Sequence, residues 1–322
     1  MSLGVLAPVA VAGVAAGLVA VLVWASCRWL RGWLARRGIV DRPNARSSHS
    51  RPVPRGGGLV VIPGVAVAWS LGAGIGAGPP VLVGVAALAL ALSALSFRDD
   101  RAPLPVGLRL GAQVLAVAAG LALLGDEARV AQGWLPLWAD RLLAGLAWLW
   151  FVNLFNFMDG IDGLAGVETL VIALGLVAVA LMAGAGPAVW WPPLGLAAAA
   201  AGFLIWNWPP ARLFLGDCGS VPLGFLLGWL LLSAAAAGHW AAALILPAYY
   251  GADATLTLLK RLFRGAKIWQ AHREHAYQRA VQAGRSHAWV SRQVAAAGAM
   301  LVVCAVVAES GAPVPAVLAA GL

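Results

Sequence analysis

The chain has 322 residues, of which 61% are hydrophobic and only 11% charged, against about 25% charged in soluble proteins. With a mean hydropathy of +0.85, a soluble enzyme and a disordered chain are both excluded. The long, unbroken apolar runs also exclude a transmembrane β-barrel, whose strands alternate. The expected fold is all-α: one polytopic membrane domain over residues 1–322, with room for about ten spanning helices of ~20 residues each.

Apolar runs lie near 4–27, 57–77, 80–97, 107–124, 141–157, 164–184, 188–206, 218–237, 239–259 and 287–308. The first lacks a positive leading region and a polar break, so it reads as a retained helix rather than a cleaved signal. Run 80–97 is short, and run 188–206 carries two prolines that neighbouring helices must accommodate. If all ten span, one side receives loops 28–56, 98–106, 158–163, 207–217 and 260–286. That side, with the adjoining helix ends, holds 20 of the 22 basic residues, and the other holds only Arg129 and Arg141. This imbalance places the five loops in the cytoplasm and both termini outside, in the periplasm. The net charge of +9 is then topology and contact with anionic lipid, and does not point to nucleic acid. Cys27, Cys218 and Cys304 show no metal-ligand spacing and read as small apolar residues.

The acids carry the chemistry, because ionisable groups at apolar helix ends are costly and tend to be functional. Loop one runs Asp41-Arg-Pro-Asn-Ala-Arg46-Ser-Ser-His49, then Arg55-Gly56-Gly57-Gly58. Arginine forks and glycine N–H groups suit phosphates; the alternative is a plain basic juxtamembrane loop. Loop two holds Asp99 and Asp100 between arginines. Such a pair can hold Mg²⁺ or act as a base, or be a solvated turn. Loop three is the sharpest: Asn153-Leu-Phe-Asn156-Phe-Met-Asp159-Gly160-Ile-Asp162-Gly163 sets two carboxylates in an apolar stretch with no basic partner nearby. Metal and ligand donors would satisfy them. Glu168 follows one turn into the next helix. Loop four, Asn207-Trp-Pro-Pro-Ala-Arg212-Leu-Phe214-Leu-Gly216-Asp217-Cys-Gly-Ser220, offers helix-start N–H groups to a phosphate and one carboxylate to a metal. Phe214 suits base stacking or interfacial packing. Loop five contains His272-Arg273-Glu274-His275-Ala-Tyr277-Gln278 and reads as a basic surface helix or a diphosphate clamp. Asp253, after Pro247, reads as ordering a broken helix through hydrogen bonds.

Taken in order, DRPNxRxxH…PRGGG, DD, NxFNFMDGIDGLAG, NxPPARLFLGDxGS and HREHAYQ resemble the polyprenyl-phosphate N-acetylhexosamine-1-phosphate transferases, integral membrane enzymes of the MraY and WecA type (glycosyltransferase family 4). The resemblance covers residues 41–279. It implies transfer of a sugar 1-phosphate from a UDP-N-acetylhexosamine to undecaprenyl phosphate with release of UMP, in the bacterial inner membrane, with Mg²⁺ (or Mn²⁺) as cofactor. It implies Asp217 as the metal ligand, and Asp99 and Asp100 serving the lipid-phosphate nucleophile. Asp159, Asp162 and Asn156 would line the nucleotide-sugar site. Asn207 and Phe214 would hold uracil, and His275 and Arg273 the diphosphate or sugar. Arg46, His49 and Arg55 would contact phosphate. A homodimer stays open. The last motif departs from a histidine-richer form, DRxHxHH, keeping only Arg273 and His275. In this it resembles the branch that primes O-antigen-type polysaccharides.

The competing readings are a transporter or flippase and a non-catalytic scaffold. A transporter would set its ionisable groups near mid-membrane in broken helices; here they gather at one face. A scaffold leaves the acid clusters unexplained.

Overall fold

The computed structural model describes residues 3–43, 51–266, 272–311 and 313–321. In chain order the helices are α1 (Leu3–Arg36), α2 (Gly58–Gly74), α3 (Val81–Arg101), α4 (Val106–Leu124), α5 (Leu137–Met158), α6 (Leu164–Met182) and α7 (Pro187–Asn207). They continue with α8 (Asp217–Ala236), α9 (Trp240–Ile245), α10 (Ala248–Phe263), α11 (Ala276–Gln282), α12 (His287–Glu309) and α13 (Pro313–Ala319). Eight of these are long and apolar enough to cross a bilayer, α2 being shorter at 17 residues. The protein is an all-α, multi-pass membrane protein, as expected.

Two features depart from that expectation. Run 239–259 is not one helix: it divides at Leu246–Pro247 into α9 and α10, because proline has no N–H to continue the ladder. Loop one folds back as a two-residue antiparallel hairpin, β1 (Val40–Asp41) with β2 (Val53–Pro54), in register Val40↔Pro54 and Asp41↔Val53.

The helices bury small and aromatic residues against one another, the means of packing left to helices in lipid, where hydrophobicity no longer drives association. The centre is α8, nearly all of it buried and packed by α2, α3, α5, α6 and α9. Gly228 lets Trp148 of α5 lie against it: an added Cβ would stand 2.2 Å from the indole. Trp148 donates to the Phe225 carbonyl at 2.9 Å, its ring stacked on Phe225 at 4.7 Å. Trp69 of α2 packs onto α7 at its prolines, donating to the carbonyl of Pro192 at 2.9 Å. Outward-facing residues such as Leu18, Leu115 and Leu142 are apolar and exposed, as a lipid-facing surface requires.

Candidate active site

The ends of α3 and α5, the start of α8 and the segment leading into α2 meet at one point. Arg55, directly after β2, forms a parallel bridge with Phe214 of loop four. Around it the Phe214 N–H donates to the Pro54 carbonyl at 2.8 Å. The Phe214 carbonyl accepts from Gly56 and Gly57 at 3.0 and 2.8 Å, and that of Leu215 from Gly58 at 3.0 Å. The glycine run therefore spends its N–H groups on loop four, not on a phosphate. Its lack of side chains serves close packing: a Cβ on Gly58 would lie 2.3 Å from the Gly219 nitrogen.

This join sets the Arg55 side chain between two carboxylates. Nη2 lies 2.6 Å from Asp217 Oδ1 and 2.8 Å from Asp100 Oδ1. Asp100 is nearly buried, while Asp217 keeps 29% of its side chain open to solvent. The N–H groups of Asp217 and Cys218 in the first turn of α8 point at Asp100, at 3.4 and 3.2 Å, so Asp100 caps that helix from α3. A carboxylate is the favoured group there, facing unpaired N–H groups and the positive end of the dipole. Gly216, with φ of 75°, allows the approach; a Cβ on it would stand 2.9 Å from Asp100 Oδ2. The helix start expected to receive a phosphate is thus occupied by Asp100.

Asp159 ends α5 beside this group. Burial pushes its carboxyl up to about 7; Arg55 opposes the rise, and repulsion from Asp217, Asp100 and Asp162 adds to it. Arg55 is itself held above the ordinary arginine range: burial works against its charge, but Asp217, Asp100, Asp41 and Asp159 more than offset this. The centre is a half-buried guanidinium ringed by more carboxylates than it can neutralise. Asn156, one turn before Asp159, donates to Ser220 Oγ at 2.8 Å and ties α5 to α8. Among the described residues no three or more His, Cys, Asp or Glu side chains gather as a metal cluster.

The profile of glycosyl transferase family 4 matches residues 82–235. Over 265 residues the chain is 29% identical to a probable undecaprenyl-phosphate N-acetylglucosaminyl 1-phosphate transferase of Bacillus subtilis, covering 78% of this chain and 72% of that one. Over 314 residues it is 28% identical to a decaprenyl-phosphate N-acetylglucosaminephosphotransferase of Mycolicibacterium smegmatis, covering 83% and 75%. A phospho-N-acetylmuramoyl-pentapeptide-transferase of Moorella thermoacetica is 42% identical over 95 residues, 30% of each chain. The chain is thus similar to glycosyl transferase family 4 through its central half and to these phosphotransferases over most of its length. It is a membrane glycosyl-1-phosphate transferase, moving a phospho-sugar to a polyprenyl phosphate.

Within this transferase the expected site residues divide. Arg55, Asp100, Asp159 and Asp217 come together, and Phe214, half-buried, stands one residue from the join. Asp99 turns away: it accepts from the Leu104 N–H at 2.6 Å and from Arg109 at 2.9 Å, ordering the α3–α4 turn. Asp162 and Asn207 bind loops to one another. Asp162 accepts from the Ala211 N–H at 2.9 Å and lies 3.2 Å from His287 Nδ1. Asn207, buried, accepts from the Gly163 N–H at 2.9 Å and donates to the Leu213 carbonyl at 3.0 Å. The amide expected at uracil thus has both ends on backbone. The absence of a basic partner for loop three is also corrected, because Arg55 and His287 arrive from distant parts of the chain.

Loop five takes a supporting place. His275 is 2% exposed, with Nδ1 3.5 Å from Asp253 Oδ1, too enclosed to meet a diphosphate directly. Asp253 also accepts from the Ala276 N–H at 2.8 Å, which fixes α11 onto α10. Tyr277 of α11 then reaches back to loop three, donating to the Phe157 carbonyl at 3.2 Å. Arg273 is half-buried beside this turn, its carbonyl accepting from Gln282 at 2.7 Å. Arg46 and His49 lie outside the described residues. Sequence reasoning did not single out Ser220, His287, Arg109 or Tyr277 as partners; each acts on a residue 10 to 125 positions away, and no spacing rule links them.

Proposed function

We propose that the chain transfers an N-acetylhexosamine 1-phosphate from a UDP-sugar to undecaprenyl phosphate at the cytoplasmic face of a bacterial inner membrane. The product is a diphosphate-linked lipid that primes an O-antigen-type or other surface polysaccharide, with both termini outside. The observation that carries this reading is Arg55 held between Asp100 and Asp217, with Asp159 beside it. Two relatives are named as N-acetylglucosamine-phosphate transferases acting on undecaprenyl or decaprenyl phosphate, which supports the donor and acceptor classes.

The donor set fits Mg²⁺, or Mn²⁺. Two hard carboxylate oxygens already share one cationic nitrogen, and Mg²⁺ usually takes one or two carboxylates with the rest from phosphates and water. Asp217, the more open of the two, would hold it, with Asp100 behind. When bound, the ion neutralises charge that builds on the diphosphate during displacement. Arg55 adds a second cation and forked donors to phosphate oxygens. The lipid phosphate is a nucleophile at neutral pH, so positioning outweighs base catalysis. One of its oxygens bonds to the sugar-bearing phosphorus, the bridge to the other phosphorus breaks, and UMP leaves with that electron pair. A single displacement needs no enzyme-bound intermediate.

Asn156 and Asp159 line the nucleotide-sugar side and Phe214 offers its ring to uracil. Asn207 and Asp162 hold the loops that present them. Asp99 with Arg109, and His275 with Asp253, act as positioning pairs. Arg273, Arg46 and His49 are proposed phosphate contacts. Purified protein with undecaprenyl phosphate, Mg²⁺ and a panel of UDP-N-acetylhexosamines should yield a lipid diphosphate sugar detectable by mass spectrometry. No product from any donor with folded protein would overturn the reading.

A further inference from the structure

The end of the bundle that carries the active site has a second cationic feature, on the α1–α7 side. Trp206, near the end of α7, is 6% exposed and donates its indole N–H to the Trp24 carbonyl of α1 at 2.9 Å. The helices touch there: a Cβ on Gly202, one turn earlier, would stand 2.2 Å from the Ala20 carbonyl oxygen. Two guanidiniums lie over this one ring, Arg31 of α1 at 5.2 Å and Arg212 of loop four at 4.6 Å from its centroid. Sharing a ring bounds their separation at about 10 Å, each in cation–π range.

Among the described residues neither arginine has a carboxylate within ion-pair distance. Asp217, the acid nearest Arg212 in the chain, and Asp162, which accepts from the adjacent Ala211 N–H, are engaged with Arg55 and His287. One Arg212 nitrogen donates to the Ile205 carbonyl at 2.9 Å; the charge is unanswered. Two like charges held over a buried ring repel unless an anion joins them. The surroundings specify the anion. Leu22 and Ile205, close in the chain to Trp24 and Trp206, are exposed, as are Trp24 and Trp29, the composition of a headgroup-level belt.

We propose that Arg31 and Arg212, seated over Trp206, bind the phosphate of an anionic phospholipid whose chains lie against the exposed apolar residues of α1, such as Leu18 and Leu22. The site is separate from the Asp100–Arg55–Asp217 centre and does not depend on the substrate assignment. Forked guanidinium donors from two directions suit a phosphodiester. Its role would be to seat loop four, whose next acid is Asp217, at a fixed depth in the interface.

The test is native mass spectrometry of the detergent-purified full chain titrated with phosphatidylglycerol, against phosphatidylethanolamine and inorganic phosphate. The wild type should retain one phosphatidylglycerol in preference to phosphatidylethanolamine. Arg31→Gln/Arg212→Gln should weaken that retention about thirtyfold, at about one headgroup attraction per arginine for two arginines. Each single variant should fall between, which keeps the test open if the double variant fails to fold. Arg285→Gln/Arg292→Gln is the matched control: it removes the same charge, and Arg285 sits over Trp289 at 4.9 Å, a lone cation on its ring among the described residues. Equal loss in the control would reduce the effect to general charge and overturn the site. Unchanged retention in the double variant would also overturn it. Inorganic phosphate binding as well as the lipid does would overturn the lipid assignment.

Discussion

Gly160→Ala tests the packing that holds loop three. Gly160 has ordinary backbone angles and needs no left-handed conformation; what it lacks is room. An added Cβ would stand 2.1 Å from Tyr277 Oη, 3.0 Å from Cζ and 3.2 Å from Cε2. Tyr277 is 1% exposed and cannot swing into solvent, so the ring or the loop must move by more than an ångström. Overpacking of this kind costs about 1–3 kcal/mol. Breaking the Tyr277 bond to the Phe157 carbonyl adds about 1 kcal/mol, for a loss near 2–4 kcal/mol in all. Asp159 adjoins the moved residue, and a 1 Å displacement of a reacting group costs on the order of 10²-fold in rate. The assay pairs a thermal melt in detergent with UMP release. Gly160→Ala/Tyr277→Phe removes the nearest atom but leaves ring carbons at 3.0 and 3.2 Å, so it should recover part of both losses. Wild-type stability and activity in Gly160→Ala would refute the packing. No recovery in the double variant would mean that Gly160 is required for a substrate contact.

Asn207→Asp keeps an acceptor for Gly163 but loses the donor to Leu213; stability should fall by about 1–3 kcal/mol, and an unchanged melting temperature would contradict the loop-joining role. His287→Ala removes the partner of Asp162 and should lower activity through loop order, with Asp217-dependent metal binding retained by calorimetry. Asp159 is raised to about 7, above its unfolded value near 3.9, so the metal-free folded state binds the extra proton. Its stability should therefore fall as pH rises through the window from about 4 to 7. Asp159→Asn should flatten that slope in melts recorded in chelator; an unaltered slope would place the titration elsewhere.

The sequence made the bundle legible because lipid imposes one rule, apolar stretches about 20 residues long, and the structure obeys it except at Pro247, where a lone proline decides. The acids were legible for the same reason: a carboxylate at an apolar helix end is costly and must find partners, whether at the reacting centre or in a structural tie. What could not be read was the division of labour among them. Asp99 and Asp100 are adjacent, but on a helix adjacent residues point about 100° apart, and only Asp100 faces α8. Glycines in loop one resembled a phosphate cradle because composition does not say where an N–H points. Asn207 and His275 lay in motifs and proved to be buried ties. Their partners, the Gly163 N–H and Asp253, are 44 and 22 residues distant by chain number, which only the packed helices bring close.

The central claim is that the carboxylates around Arg55 form the reacting centre. The most direct test is UMP release from a UDP-N-acetylhexosamine and undecaprenyl phosphate, measured across a Mg²⁺ titration for wild type and Asp217→Asn. The account predicts release that needs both lipid and metal in the wild type and none above background in Asp217→Asn, with insertion and folding intact. Full activity in Asp217→Asn would contradict it.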